Sequence, residues 1–173
     1  MKQAQALTVS KVIPQGSDAA LLCFALNDAQ RSHYAFTPGQ YLTLEGGPED
    51  ERQWRCYSIT SDPADAWISV LVRRVAGGLV SNWLCDHVRA GSTLRVFPPA
   101  GHFTLRQPGQ PLLLFAGGSG IAPIFSLARQ ALNEGAPTVT LFYANRNAGT
   151  AMLMNELADL TARFGERLQL RLW

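Results

Sequence analysis

The stretch LLLFAGGSGIAP, residues 112–123, joins a continuous apolar run to a glycine-rich turn and the start of a helical pattern. An apolar run such as LLLFA is typical of a parallel strand that is buried on both faces. Glycines let the following turn approach a ligand closely, and a helix N-terminus directs free N–H groups and a partial positive charge at it. The stretch predicts the opening of a nucleotide-binding α/β unit, although any tight turn would also use glycine. It does not match the GxGxxG fingerprint of ordinary dinucleotide sites.

The rest of the chain repeats this alternation of strand and helix. TVTLFYA (138–144) reads as a second strand, AMLMNELADLTARFG (151–165) as a second helix and RLQLRLW (167–173) as a third strand. The order β-α-β-α-β is one mononucleotide-binding half of a doubly wound sheet. A complete sheet of this kind has further strands beside the first, so we expect LLLFA to form an uncovered edge here. We therefore expect this chain to be truncated at its C-terminus, or to be one half of a split protein.

The first hundred residues have a different pattern, with short β-rich runs separated by turn residues. Such runs predict a six-stranded antiparallel β-barrel or a sandwich. The runs are ALTVSKVI, AALLCFAL, YLTLEG, RCYSIT, WISVLVRRV and TLRVF. GGLVSNWLCDHVRAG (77–91) reads as one short helix that ends at Gly91. RQPGQP (106–111) interrupts the pattern, so we predict a barrel domain over 1–107 and a partial nucleotide-binding domain over 108–173.

Two polar stretches of the barrel are candidates for chemistry. In the strand RCYSIT, side chains two residues apart share a face, so Arg55 and Tyr57 point one way and Ser58 points the other. A guanidinium and an aromatic ring on one face suit a ligand with an anion and a flat ring, although a surface arginine beside a barrel tyrosine explains them equally. GGLVSNWL (77–84) places glycines and a serine at a helix start, which suits either a phosphate or an ordinary helix cap.

Composition excludes several classes of protein. The chain has 173 residues, a hydrophobic fraction of 47% and a formal net charge of +2, and its basic residues are scattered, so nucleic acid is not an expected partner. No segment has the length of a membrane span, and the N-terminus does not resemble a signal peptide, so we expect a cytoplasmic protein. Cys23, Cys56 and Cys85 are widely spaced without a CxxC motif, which favours reduced structural thiols over a metal site.

The ordered set of motifs resembles the ferredoxin-NADP reductase superfamily, in which an FAD-binding barrel precedes an NAD(P)-binding domain. The resemblance covers nearly the whole chain, and the combination of RxYS, GGxxSxxL and GGSGIxP is specific. The matching segments are FTPGQYLTL (36–44), RCYSI (55–59), VRRVAGGLVSNWL (72–84), PAGHF (99–103), GGSGIAP (117–123) and YANRN (143–147). The chain is most similar to reductase components of bacterial multicomponent oxygenases.

The resemblance implies a role for each matching residue. Arg55 would bind the flavin phosphates, Tyr57 would pack on the isoalloxazine, and Ser58 would hydrogen-bond near its N5 and O4 edge, which makes Tyr57 and Ser58 the candidate catalytic residues. The resemblance implies further cofactor contacts elsewhere in the chain. Val72 and Arg73 would meet the cofactor chiefly through backbone, and Ile59 and Gly77 are further cofactor-binding candidates. The others are Gly78, Leu79, Val80 and Ser81 at the pyrophosphate, and Gly117, Gly118, Ser119, Gly120 and Arg146 at the nicotinamide nucleotide.

The resemblance also implies cofactors and partners. We expect FAD and NAD(P)H, hydride transfer from nicotinamide to flavin, and release of single electrons to a ferredoxin or an iron-sulfur domain. No CxxxxCxxC segment is present, so no iron-sulfur cluster is expected on this chain. Ala122 stands where many relatives have threonine, and the later Cys-Gly-Pro segment of the family is absent.

Several alternatives stay open. A partner chain could supply the missing strands, so that this chain is a flavin-holding or interaction module without turnover of its own. FMN could replace FAD, although the GGLVS cradle favours FAD, and Arg146 favours NADPH over NADH only weakly. His33, His87 and His102 lack metal-ligand spacing, and Met152 and Met154 are expected to serve packing.

Overall fold

The structure is a computed structural model, and it describes residues 3–173. Nine strands and four α-helices lie within these described residues. The strands are β1 (Gln5–Gln15), β2 (Ala19–Ala25), β3 (Tyr41–Gly46), β4 (Gln53–Ser58), β5 (Trp67–Arg73), β6 (Thr93–Ala100), β7 (Leu112–Gly117), β8 (Val139–Ala144) and β9 (Leu168–Leu172). The helices are α1 (Asp28–His33), α2 (Leu79–His87), α3 (Ile121–Asn133) and α4 (Met154–Phe164). None of the helices within 3–173 combines the length and the apolarity needed to cross a membrane.

The first six strands form the predicted antiparallel barrel. Their order in the sheet is β4-β3-β6-β1-β2-β5, in which the neighbours β3–β6 and β6–β1 are those of a Greek-key connection. A bridge between Ile59 and Val70 joins the end of β4 to β5, so the two outer strands of the sheet meet. The fold-class prediction for this half of the chain is confirmed.

Strand β2 is apolar along its whole length because it is buried on both sides. Leu22 and Phe24 point into the barrel core, where both are fully buried. Ala19 and Leu21 point the other way and pack, together with Leu71 of β5, into the core of the second domain. The side chains of β2 therefore alternate in direction as in any strand, but the sequence does not alternate between apolar and polar residues, because both faces are buried.

The last three strands form a parallel sheet in the order β7-β8-β9. Helices α3 and α4 pack on one face of it, through residues such as Phe125 and Leu157. On the opposite face Leu113 and Phe115 are 59% and 65% exposed, and the ring of Phe115 stacks on Phe142 at 5.2 Å between centroids. The expectation that LLLFA is buried on both faces is wrong for this chain, because both helices lie on the same side. The expectation that it forms an uncovered edge is confirmed.

Polar contacts join helix α3 to the barrel. The Ser126 hydroxyl donates to the carbonyl oxygen of Ile59 at 2.5 Å, where both residues are buried. Arg129 pairs with Asp62 at 3.2 Å and with Asp65 at 2.6 Å, in the loop between β4 and β5. These contacts hold the middle of α3 against the end of β4 and the loop that follows it.

Two helices differ from the sequence reading. Helix α1 was not predicted, although Asn27 and Gln30 form a capping box that the sequence displays. Helix α2 ends at His87 and Val88 is extended, so the prediction that this helix continues to Gly91 is wrong. The domain boundary at residue 107 stays a prediction.

Candidate functional site

A cavity of about 410 Å³ lies between the barrel and the nucleotide domain. Its walls come from the end of β4, the end of β5 with the loop that follows, the turn before α3 and the loop after β8. The lining residues are Cys56, Tyr57, Ser58, Leu71, Arg73, Arg74, Val75, Ala76, Ser119, Ala122 and Arg146. A ligand in this cavity would therefore touch both domains at once.

Strand β4 presents its polar groups on two faces, as its alternation predicts. Tyr57 pairs with Leu42 and Arg55 with Leu44 across β3, so these two side chains share a face, while Ser58 lies on the other face opposite Tyr41. Tyr57 packs against the barrel core, and this burial raises the pKa of its phenol to about 12, with a smaller contribution from Cys85. The hydroxyl of Tyr57 is therefore a neutral donor at ordinary pH.

Two predicted residues of the same segment lie outside the cavity lining. Arg55 is exposed, and its guanidinium donates to the Trp54 carbonyl at 2.8 Å and to the Gln53 amide oxygen at 2.6 Å. Ile59 is fully buried, its N–H donates to Gln40, and its carbonyl accepts from Ser126. Ile59 therefore supports the cavity from behind. The implied roles of both residues stay predictions.

Two arginines at the end of β5 form ion pairs with different partners. The Arg74 guanidinium pairs with Asp86 at 2.6 Å, and this hydrogen bond lowers the pKa of the Asp86 carboxyl. Arg73 instead pairs through Nε with Asp18 at 3.1 Å, and its side chain also reaches a second cavity. Val72, which precedes both, has its side chain in the barrel core. Arg73 thus presents a side chain to the ligand space, and not only the backbone that the resemblance implied.

The glycine turn before α2 is ordered by its own serine. The Ser81 hydroxyl accepts from Val75 N–H at 3.1 Å, and a Cβ at Gly78 would lie 2.8 Å from that hydroxyl oxygen. Gly77 has φ of +70° with open space before it, so its backbone is accessible to a ligand. Val80 is buried, and neither it nor Leu79 lines the cavity. This helix start leaves backbone N–H groups free at the turn.

The second cavity, of about 360 Å³, lies at the carboxyl ends of β7 and β8. This is the edge of a parallel sheet at which α/β proteins bind nucleotides. Gly118 has φ of +49°, and a Cβ there would lie 2.9 Å from Nη1 of Arg73. Gly117 and Gly120 have open space where a Cβ would be. The lining residues are Arg73, Gly117, Gly118, Ala144, Asn145, Arg146 and Thr150.

The two cavities share two cationic side chains. Arg73 comes from the barrel and Arg146 from the nucleotide domain, and both line both cavities. No aspartate or glutamate is among the lining residues of either cavity. Positive charge, accessible glycine backbone and a neutral phenol fit a flavin in the first cavity and a phosphate-bearing nucleotide in the second.

The structure brings together part of the predicted set. Tyr57, Ser58, Arg73, Ser119 and Arg146 line the first cavity, while Gly117 and Gly118 line the second. The predicted residues outside both linings are Arg55, Ile59, Val72, Gly77, Gly78, Leu79, Val80, Ser81 and Gly120.

Sequence reasoning missed part of the lining. The missed residues are Cys56, Leu71, Arg74, Val75, Ala76, Ala122, Ala144, Asn145 and Thr150. Five of them lie at the end of a predicted strand or directly after it, namely Arg74, Val75, Ala76, Ala144 and Asn145. For Ala144 and Asn145 this is the edge at which an α/β sheet meets its ligands.

The described chain also contains cysteines, methionines and possible metal ligands. Within residues 3–173 no group of three or more histidines, cysteines or acidic residues is placed to hold a metal ion. The three cysteines are free thiols, and burial raises the pKa of Cys23 and of Cys85. Met152 is fully buried, in line with a packing role.

Comparison with known proteins identifies both halves of the chain. The profile of oxidoreductase FAD-binding domains matches residues 6–105, and that of oxidoreductase NAD-binding domains matches residues 114–173. The ferredoxin reductase component of 3-ketosteroid-9-alpha-monooxygenase from Rhodococcus rhodochrous is 41% identical over 96% of this chain and 48% of its own length. The reductase component of glycine betaine monooxygenase from Pseudomonas aeruginosa is 34% identical over 88% of the chain and 42% of its own length.

Solved structures agree on the fold. The FAD/NAD-binding domain of nitric oxide dioxygenase from Vibrio cholerae superimposes with a TM-score of 0.87 at 24% identity, covering 99% of this chain and 74% of that one. Phthalate dioxygenase reductase gives a TM-score of 0.81 at 24% identity over 97% of this chain and 51% of its own. The chain spans less than half the length of the two curated relatives described above. It belongs to the ferredoxin-NADP reductase-like family of flavin oxidoreductases, with an FAD-binding domain followed by an NAD-binding domain.

Proposed function

We propose that this chain carries the flavin site and part of the nicotinamide site of an NAD(P)H-dependent electron-transfer reductase. The observation that carries the proposal is the shared cavity, in which Tyr57 and Ser58 of the barrel face Ser119 and Arg146 of the nucleotide domain. FAD bound there would take a hydride from NAD(P)H and pass electrons on singly to an acceptor.

The residues of this chain would bind and orient. The Tyr57 ring would pack against the flavin, and its high pKa keeps the phenol neutral. The Ser58 hydroxyl, on the opposite face of β4, would donate a hydrogen bond at the polar edge of the ring. Hydride transfer from a nicotinamide to a flavin requires no acid–base pair, and a lining without carboxylates is compatible with it. Walls from two domains would exclude water and fix the distance between the two rings.

Phosphate recognition would be divided between glycine backbone and arginine. The turn at Gly77 and Gly78 precedes helix α2, whose free N–H groups suit the flavin pyrophosphate. Arg55 would reach the same anion after leaving its present partners, Trp54 and Gln53. Arg146 would bind the ribose or the 2′-phosphate of the nicotinamide nucleotide from the loop after β8.

The acceptor proposed is a ferredoxin or an iron-sulfur domain. The support is similarity to a protein described as the ferredoxin reductase component of an oxygenase. That relative is about twice as long as the matched segment, so other parts of a full-length reductase would contribute to acceptor binding.

An anaerobic absorbance spectrum tests the proposal directly. The purified chain should show flavin bands, and these should bleach when NADPH or NADH is added. Mass spectrometry of the released flavin separates FAD from FMN. The variant Arg146→Met should lower the affinity for NADPH more than for NADH, whereas Arg95→Met, outside both cavities, should change neither. Flavin bands absent after reconstitution with FAD would refute the assignment.

A second candidate is a flavin-holding module that depends on another polypeptide for turnover. The apolar face formed by Leu113, Phe115 and Phe142 favours it, because an exposed patch of this kind marks an interaction surface. Bound flavin that stays oxidised with both nucleotides would support this candidate. Steady ferricyanide reduction by the chain alone would exclude it.

A further inference from the structure

The Arg73 guanidinium is the point at which the barrel, the glycine turn and both cavities meet. Its Nε donates to Asp18 Oδ2 at 3.1 Å, and its Nη1 lies against Gly118. Within residues 3–173, neither Nη atom has a hydrogen-bond partner, so both are free to meet a ligand. Among the described residues, the guanidinium is therefore hydrogen-bonded through Nε alone.

The Asp18 side chain has one hydrogen-bond partner among residues 3–173, which is Arg73. Its Oδ2 accepts from Arg73, while its Oδ1 is buried and has no hydrogen-bond partner in the described part of the chain. The two side chains are 28% and 23% exposed, so water screens this pair less than a surface pair.

The backbone that carries Asp18 is fixed to both domains. The Asp18 carbonyl oxygen accepts from Arg74 N–H at 2.8 Å, next to Arg73 on β5. The preceding Ser17 N–H donates to the Gly149 carbonyl at 2.9 Å, in the loop after β8. At Gly16 a Cβ would lie 2.7 Å from the same Gly149 oxygen, so the turn between β1 and β2 fits closely against that loop.

We propose that Asp18 is a positioning residue for the nucleotide cavity, because it orients the Arg73 guanidinium toward the glycine turn at Gly118. This inference rests on the proposed function, which assigns the second cavity to the nicotinamide nucleotide. It adds a residue outside both linings, on the turn between β1 and β2, to the groups on which nucleotide affinity depends.

A positioning role for Asp18 and simple charge repulsion predict opposite changes in nucleotide affinity when Asp18 is removed. A carboxylate near an anion site repels the anion, so removing Asp18 would tighten nucleotide binding if charge alone mattered. If Asp18 orients Arg73, Asp18→Ala releases the guanidinium and weakens binding by about fivefold, the upper range for an exposed ion pair. Asp18→Asn keeps an acceptor for Nε and should retain part of the affinity.

The test is calorimetric titration of the flavin-loaded 173-residue chain with NADP⁺ and, separately, with NAD⁺. Asp159→Asn, an exposed aspartate of α4, controls for the change in net charge. A double-mutant cycle with Arg73→Met isolates the coupling: in that background Asp18→Ala should have almost no effect. The Nε–Hε resonance of Arg73 in ¹⁵N spectra should broaden or shift in Asp18→Ala without any nucleotide present.

The outcomes separate this inference from the proposed function. Weaker binding by Asp18→Ala, partial rescue by Asp18→Asn and loss of the effect in the Arg73→Met background support the positioning role. Equal or tighter binding by Asp18→Ala overturns it and leaves the proposed function intact. A wild-type chain that retains flavin and binds neither dinucleotide overturns both the assignment of the cavity and this inference.

Discussion

Replacing Arg129 by methionine removes the cation that joins helix α3 to the barrel. Its Nε lies 3.2 Å from Asp62 Oδ2 and its Nη2 lies 2.6 Å from Asp65 Oδ1. The arginine side chain is 21% exposed, and the two carboxylates are 15% and 24% exposed. Methionine keeps much of the apolar stem, so the change isolates the charge and its two ion pairs.

The expected loss in the free energy of unfolding depends on the hydrogen bonds that the two carboxylates retain in Arg129→Met. Asp62 still accepts from Ala64 N–H and from Asn133, and Asp65 still accepts from Asp62 N–H. The cost should therefore fall between that of an exposed pair and that of a buried pair that loses one partner, at about 2 kcal/mol. For a chain of this length, that loss lowers Tm by about 4–8 °C.

Differential scanning calorimetry at a fixed flavin concentration measures the effect, because bound ligand also raises Tm. Arg95→Met is the matched control, since Arg95 pairs with Glu45 at 3.4 Å and its side chain is 58% exposed. That control should cost less than about 1 kcal/mol. Equal Tm values for the two variants would refute the view that the Arg129 cluster stabilises the docking of the domains.

Three further predictions concern the site. Arg55→Ala should lower the flavin content of the purified protein more than its stability, because a charge-assisted phosphate contact is lost; flavin content equal to wild type would contradict this role. Gly118→Ala should destabilise by about 1–2 kcal/mol in urea titration, since φ is +49° and Arg73 Nη1 is 2.9 Å from the new Cβ, whereas Gly120→Ala meets open space and should cost less. The pKa of Tyr57 is raised to about 12 in the fold, so the unfolded state loses its proton first and stability falls as pH rises from 10 to 12. In Tyr57→Phe the free energy of unfolding should fall less over this pH range. Parallel pH profiles of stability for wild type and Tyr57→Phe would contradict the raised pKa of Tyr57.

The glycine turn illustrates what local sequence can decide. GGSGIAP predicted a turn that opens a helix, and the structure has a short 3₁₀ turn over Gly118–Gly120 followed by α3. Gly118 is the position of this turn that favours glycine, since its φ is +49°, and a Cβ there would also displace the Arg73 guanidinium. The turn followed from sequence because its backbone geometry depends on adjacent residues, while the contact with Arg73 depends on a strand far away in the chain.

Burial was less predictable than element type. LLLFA was recognised as a strand, yet Leu113 and Phe115 are exposed because α3 and α4 occupy one face. In β2 the opposite holds, since Ala19 and Leu21 are buried by the second domain and not by the barrel. An apolar residue indicates that its side chain tends to be buried, whereas the topology of the fold determines which surface buries it.

The alternation of RCYSIT decided that Arg55 and Tyr57 share a face of β4 and that Ser58 takes the other, because successive residues of a strand point to opposite sides. Motif order likewise indicated the two domains and their cofactors. Only the tertiary structure decided that Arg73 and Arg146 converge on the same two cavities. Only it placed Asp18 behind Arg73 and Arg129 between Asp62 and Asp65, at sequence separations of more than fifty residues. Strand direction is set by neighbours in the chain, but the convergence of charges is set by how two separately patterned domains pack together.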